Sequence, residues 1–185
     1  MTQTAQILPY TVRSDEKVAQ VMVYTDNALY WGDVVTKSII RVSTWLRTNT
    51  APDRVTLYNA KAMYTTSTSP SRPMQFSELH IATTQVLAFH LVPPAKDPLD
   101  FDLTEPNRRM VPISMLVGNF RIEGSMRLAG STTLFKFLEV TKEAFSAIYD
   151  VQISNPMMPA FGVVNVPFMI LRQEKTIFAL AQPAV

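Results

Sequence analysis

The sequence predicts a mainly β protein made of two tandem related small β-barrel-like units, each of about five strands with one short helix. Three observations carry that expectation. Apolar, β-branched and aromatic runs of strand length recur along the chain, punctuated by Asn, Asp, Gly and Pro. The run ALYWGDVVTK at positions 28–37 is echoed by FRIEGSMRLA at 120–129, with a glycine at the same place in each. The elements around each glycine come in the same order and at nearly the same spacing, as expected of a repeated structural unit.

Residues 1–16 read as an N-terminal extension and 17–94 as the first β repeat. The repeat opens with a hairpin, strands 17–25 and 28–37 flanking a turn at Asp26 and Asn27. Setting Gly32 on Gly124 places Val21 and Val23 on Ile113 and Met115, Asn27 on Asn119, Tyr30 on Ile122 and Val34 on Met126. In the second copy the turn contains Gly118, which can take positive φ at no steric cost.

Ile39, Val42 and Leu46 then recur at helical spacing behind Ser38 as N-cap; Leu134 and Leu138 follow Ser131, Thr132 or Thr133 in the second copy. A strand over 54–65 corresponds to one over 145–154, with Tyr58 on Tyr149. Proline-bearing loops come next, the first within a serine- and threonine-rich stretch at 64–71 that reads as a flexible loop. Each unit closes on an expected hairpin, 76–82 with 85–92 and 162–171 with 176–181, the segment 86–93 lying over 176–183. Residues 95–108, rich in proline and charge, suit a linker, and 109–185 form the second β repeat. Five short strands with one helix suggest a partly closed barrel of the SH3, Sm or OB-like kind. Gly32 and Gly124 are expected where the second strand bends across the sheet or meets another backbone.

Composition narrows the functional classes. The chain has 185 residues, 47% of them apolar and 17% charged, with a net charge of +2. Residues 1–94 carry 8 basic against 6 acidic side chains and residues 95–185 carry 9 against 9, so neither half is a polycation. There is no run of about 18 apolar residues to cross a membrane and no signal-peptide pattern at the start, so a cytoplasmic protein without a membrane partner is expected. Without cysteine there is neither a disulfide nor thiolate chemistry.

Reactive constellations are missing as well. No G-x-S-x-G, P-loop, G-x-G-x-x-G or H-E-x-x-H occurs, and five glycines give little from which to build a phosphate cradle. His80 and His90 read as packed or boundary histidines rather than metal ligands, since Ile170 and Leu180 take the matching places in the second copy. Asp97, Asp100, Asp102 and Glu105 are numerous enough for calcium but lack an EF-hand glycine, and read as a solvated linker. No catalytic residue, metal or cofactor is expected, and the chain reads as a non-enzyme.

The segments 160–171 and 176–181 are apolar with almost no polar alternation, unlike a sheet with one wet face. One face can meet a barrel core; the other must be covered by the partner repeat or by another subunit. Val164, Val166, Phe168, Ile170 and Phe178 are therefore the candidate interface, with Met157, Met158 and Met169 as adaptable packing. The expected partner is a second copy or another protein. The alternative is a weak single-stranded nucleic-acid or small-ligand binder, with Tyr24, Tyr30, Trp31, Tyr58 and Tyr64 stacking beside Arg41, Arg47, Arg54 and Lys61.

The glycine-bearing strand, the Leu-ended helix and the strand with a central Tyr followed by Asn or Asp are carried by Gly32, Leu46, Tyr58 and Asn59, and again by Gly124, Leu138, Tyr149 and Asp150. This pattern loosely resembles bacterial small β-domain families of unknown function, present here as a tandem duplication. The resemblance implies a fold of the kind described and no activity.

Overall fold

The computed structural model describes residues 9–65, 72–98, 100–102 and 104–180; most of the serine- and threonine-rich loop lies outside them. Ten strands follow in order: β1 (Glu16–Tyr24), β2 (Ala28–Lys37), β3 (Arg54–Tyr64), β4 (Met74–Ala82), β5 (Ala88–Leu91), β6 (Arg108–Val117), β7 (Phe120–Ala129), β8 (Phe145–Ser154), β9 (Val163–Arg172) and β10 (Thr176–Leu180). They form one antiparallel sheet in the order β10-β6-β7-β8-β9-β5-β1-β2-β3-β4. The first five strands are arranged as 5-1-2-3-4, and the next five repeat that arrangement. The two sets join where β5 pairs with β9, Ala88 opposite Leu171 and Phe89 opposite Ile170.

The sheet is not closed into a barrel: β4 and β10 are its two edges. Nor do the expected closing hairpins form. β4 and β5 are separated by a single 3-10 turn, Thr83–Gln85, and go to different neighbours; β9 and β10 do the same around Gln173–Lys175. Two-residue hairpin turns need positive φ, and the described residues adopting it are Asn59, Asp150, Gly118 and Gly162, none of them in these connections.

Both glycines sit at matching irregularities. Pairing of β2 with β3 slips between Trp31 and Asp33, and pairing of β7 with β8 slips between Glu123 and Ser125. Opposite each slip a non-glycine residue turns left-handed, Asn59 at φ 48° and Asp150 at φ 51°. A Cβ added at Gly32 would lie 2.7 Å from the Tyr58 carbonyl oxygen, and one at Gly124 would lie 2.8 Å from Ile148 and 3.0 Å from the Tyr149 carbonyl oxygen. Strand β3 or β8 therefore crosses directly over the glycine, leaving no room for a side chain.

The last strand of each set corrects the sequence alignment by one residue. Leu91 pairs with Val21 and Leu180 with Ile113, so Leu91 matches Leu180 and Phe89 matches Phe178. Since successive side chains on a strand point to opposite faces, that one-residue change exchanges which side chains face inward. His90 corresponds to Ala179, not Leu180.

The helices differ between the sets. Leu134–Val140 is an α-helix, α1, whose first turn is capped by Thr133 accepting from the Lys136 amide at 3.2 Å. In the first set the corresponding element is a 3-10 helix, Val42–Arg47, that begins after Arg41 rather than at Ser38, and Ile39 is exposed. The Val42–Arg47 segment has β-branched residues and Ser near its start, which weakens the preference for α geometry.

Two hydrophobic cores result, and each borrows from the other set. One combines Ile113, Met115, Phe120, Ile122 and Ile148 with Tyr24, Leu87 and Ala88. The other combines Val21, Val23, Leu57 and Phe89 with Phe145 and Ile170. Along β9, Met169 and Leu171 enter the first of these cores while Ile170 enters the second. From Met169 to Leu171 the apolar run thus has a cause, since this part of β9 serves two cores, whereas Val163, Asn165 and Pro167 nearer its start are exposed.

Candidate functional site

Of the candidate interface residues only Ile170 pairs across the β5–β9 junction; Val164, Val166 and Phe168 lie further back along β9, and Phe178 is on the outer strand β10. Val166 and Ile170 are buried in the two cores, and Val164, Phe168 and Phe178 are half-buried against them. Arg172, at the end of β9, fastens β9 to β5. Its backbone amide donates to the Leu87 carbonyl at 2.8 Å, its Nε donates to the Val86 carbonyl at 2.8 Å, and a terminal nitrogen reaches the Thr83 carbonyl. The guanidinium lies 4.5 Å from the Phe145 ring centroid.

His90 and His80 do not converge. His90 is fully buried on β5, its Nδ1 2.7 Å from the Leu91 carbonyl and its Nε2 2.9 Å from the Tyr24 hydroxyl. The carbonyl can only accept, so Nδ1 carries the hydrogen and Nε2 accepts from Tyr24. Burial lowers the His90 pKa to about 4 and pushes the Tyr24 hydroxyl well above the ordinary tyrosine range. His80 is exposed on β4, hydrogen-bonded to Thr56 at 3.0 Å and 3.4 Å from Glu78.

In the acidic run Asp100, Asp102 and Glu105 are exposed and Asp97 is half-buried, and each carboxylate also holds a specific donor. Asp97 accepts from the Ser43 amide at 2.9 Å, Asp100 from the Tyr149 hydroxyl at 2.6 Å, and Asp102 from the Thr104 amide at 2.8 Å. Glu105 takes Arg127 at 2.6 Å and Arg108 at 3.0 Å. Each carboxylate therefore serves a different donor, and among the described residues no three His, Asp or Glu side chains form a metal-holding group.

The Asp100 contact lies in a cleft of about 290 Å³ beside β8. Tyr149, Phe101, Arg47, Arg108, Arg127 and Glu143 line it. Arg47 pairs with Glu143 at 2.6 Å and lies 3.6 Å from Asp100, while Arg127 lies 4.3 Å from the Phe101 ring centroid. Phe101 meets Tyr149 edge-on at 5.2 Å. Burial, followed by the hydrogen bond to Asp100, raises the Tyr149 pKa far above the ordinary range, so its hydroxyl is a donor and not a base. The cations here already have anionic partners, and the cleft offers polar recognition but no activated nucleophile. Arg127, Glu143 and Arg172 carried no pattern in the sequence, because their partners stand far away along the chain.

The aromatic and basic residues do not form one platform. Tyr24 is core, Tyr30 and Trp31 are half-buried against different cores, Tyr58 stacks on Tyr10 at 5.6 Å, and Tyr64 is exposed. Arg47 faces the cleft, Arg41 contacts the Pro98 carbonyl and Ser43, and Lys61 and Arg54 lie along β3.

The sheet edges differ from both. Strand β10 has the sequence TIFAL, with neither charge nor proline, and exposes Ile177 to 66% and Leu180 to 61%. Strand β4 exposes Met74, Phe76, Glu78 and His80. An unprotected apolar edge is a template for strand addition. No family model, curated protein or solved structure matches the chain. No helix among the described residues is long and apolar enough to cross a membrane.

Proposed function

We propose that the chain is a non-enzymatic cytoplasmic interaction or scaffold module that associates with itself through its apolar β surfaces. The observation carrying this reading is β10: an outer strand with no charge, no proline and two large exposed aliphatic side chains. Each half of the sheet is read as a barrel-like unit with its own core, and the two as a tandem duplication. The repeated strand order and the matching slips at Gly32 and Gly124 support that reading.

Light scattering over a concentration series tests the function. The expected result is a mass that rises with concentration and changes little with salt, because apolar contacts are not screened. A constant monomer mass would sink the reading. The cleft at Tyr149 favours a second one, a binder of a small polar ligand or of single-stranded nucleic acid. Binding there has to displace carboxylates from Arg47 and Arg127, so affinity for a single-stranded oligonucleotide would be weak and fall with added salt.

A further inference from the structure

The chain contains one copy of a junction and both halves of a second. Strand β5 occupies the same place in the first set that β10 occupies in the second, and β4 the same place as β9. Inside the molecule β9 pairs with β5; among the described residues β4 and β10 each have a strand on one side only. We propose that β10 of one copy pairs with β4 of another, head to tail, in the register that β5 and β9 use within the chain. This rests on the self-association reading above and names its surface.

Burial at matched positions supplies the reason. Ala88 on β5 is 0% exposed because it inserts into the core of the other set, across the junction; its counterpart on β10 is Ile177, exposed to 66%. Leu91 is 8% exposed, in a hollow shared with Pro167 and Phe168 of β9; its counterpart Leu180 is exposed to 61%. The two strands differ in whether a β9-like strand lies beside them. On β4 the residues matching Ile170 and Leu171 are His80 and Ile81, given by their pairing with β3. The internal register of Phe89 opposite Ile170 and Ala88 opposite Leu171 therefore places Phe178 opposite His80 and Ile177 opposite Ile81. Ile177 would then cover the first-set core to which Ile81 already belongs.

The external junction is weaker than the internal one. Ala82 stands where Arg172 stands, so the guanidinium that fastens β9 to β5 has no counterpart, and Glu78 and His80 replace the apolar Phe168 and Ile170. The internal contact is therefore permanent, and the intermolecular one depends on concentration. Because the surfaces joined are different, each added copy leaves a free β4 at one end and a free β10 at the other, and assembly grows until a ring closes.

A chain without cysteine makes the register directly testable. His80→Cys and Phe178→Cys proteins are made separately, mixed, and mildly oxidised; directly opposed strand residues lie within disulfide reach. A disulfide-linked heterodimer from the mixture, several-fold above the homodimers formed by either variant alone, is the expected result. Homodimers of Phe178→Cys forming as fast as the mixed species would overturn the proposal in favour of β10 pairing with β10. No cross-link, with wild-type protein still scattering as an oligomer, would overturn this register and leave self-association standing; a wild-type monomer at every concentration would sink both. Ile177→Lys gives a second measurement. Its side chain is exposed in a single chain, so the variant should melt like wild type when dilute yet remain monomeric when concentrated, and an unchanged oligomer mass would count against the proposal.

Discussion

Gly32 shows how much a single residue decides. A side chain there meets a carbonyl of β3 that cannot move without breaking the sheet, so Gly32→Val should cost about 1–3 kcal/mol in urea unfolding. At Gly124 the nearest obstacle is a methyl of Ile148, and Gly124→Ala should cost less than Gly32→Ala. A reversed order would show that β8 is the less yielding neighbour. His90 gives the second prediction at this scale. Its folded pKa of about 4 lies below the ordinary 6.5, so unfolding takes up a proton between those values. The stability it confers is complete above about pH 6.5 and is lost as the pH falls toward 4, a loss on the order of 3 kcal/mol. Stability of the wild type minus that of His90→Gln should decline over that window; a flat difference would mean that His90 takes up its proton as readily folded as unfolded, so that burial does not hold it neutral.

At the scale of elements, the β5–β9 contact is held by few backbone bonds and one long side chain. Arg172→Met keeps most of the volume but leaves the Val86 and Thr83 carbonyls without that donor, and should cost about 2–4 kcal/mol. Arg172→Lys should recover only part, since an ammonium cannot present the guanidinium fork to two carbonyls while also covering the Phe145 ring. Full rescue by lysine would assign the effect to charge alone. The cleft elements make a contrast: Glu143 and Arg47 are more exposed than Arg172, and Glu143→Gln should change stability by no more than about 1 kcal/mol.

Across the whole molecule, the exchange of Tyr24, Ala88 and Ile170 between the two cores predicts that the halves unfold together. Calorimetry should give one transition with equal calorimetric and van't Hoff enthalpies. Two resolved transitions would show that the junction couples the halves only weakly. Ile170→Ala, though it lies on β9 of the second set, should lower that single transition by removing a side chain from the first-set core.

The local patterns of the sequence determined the strands, both opening hairpins, the recurring glycine and the second helix, with its cap narrowed to Ser131, Thr132 or Thr133, because β propensity, turn chemistry and capping act between residues close along the chain. The same pattern marked β9 as covered on both faces, which holds over Met169 to Leu171 and not at Val163, Asn165 and Pro167, which are exposed. Only the tertiary structure decided what covers it, that the closing strands part instead of pairing, and that Asp100, Arg47 and Tyr149 meet in one cleft. Strand partners and ion pairs between distant residues depend on how the sheet coils and where its sets join. Neither spacing nor composition encodes that, because the free energy separating one partner from another resides in packing across the junction.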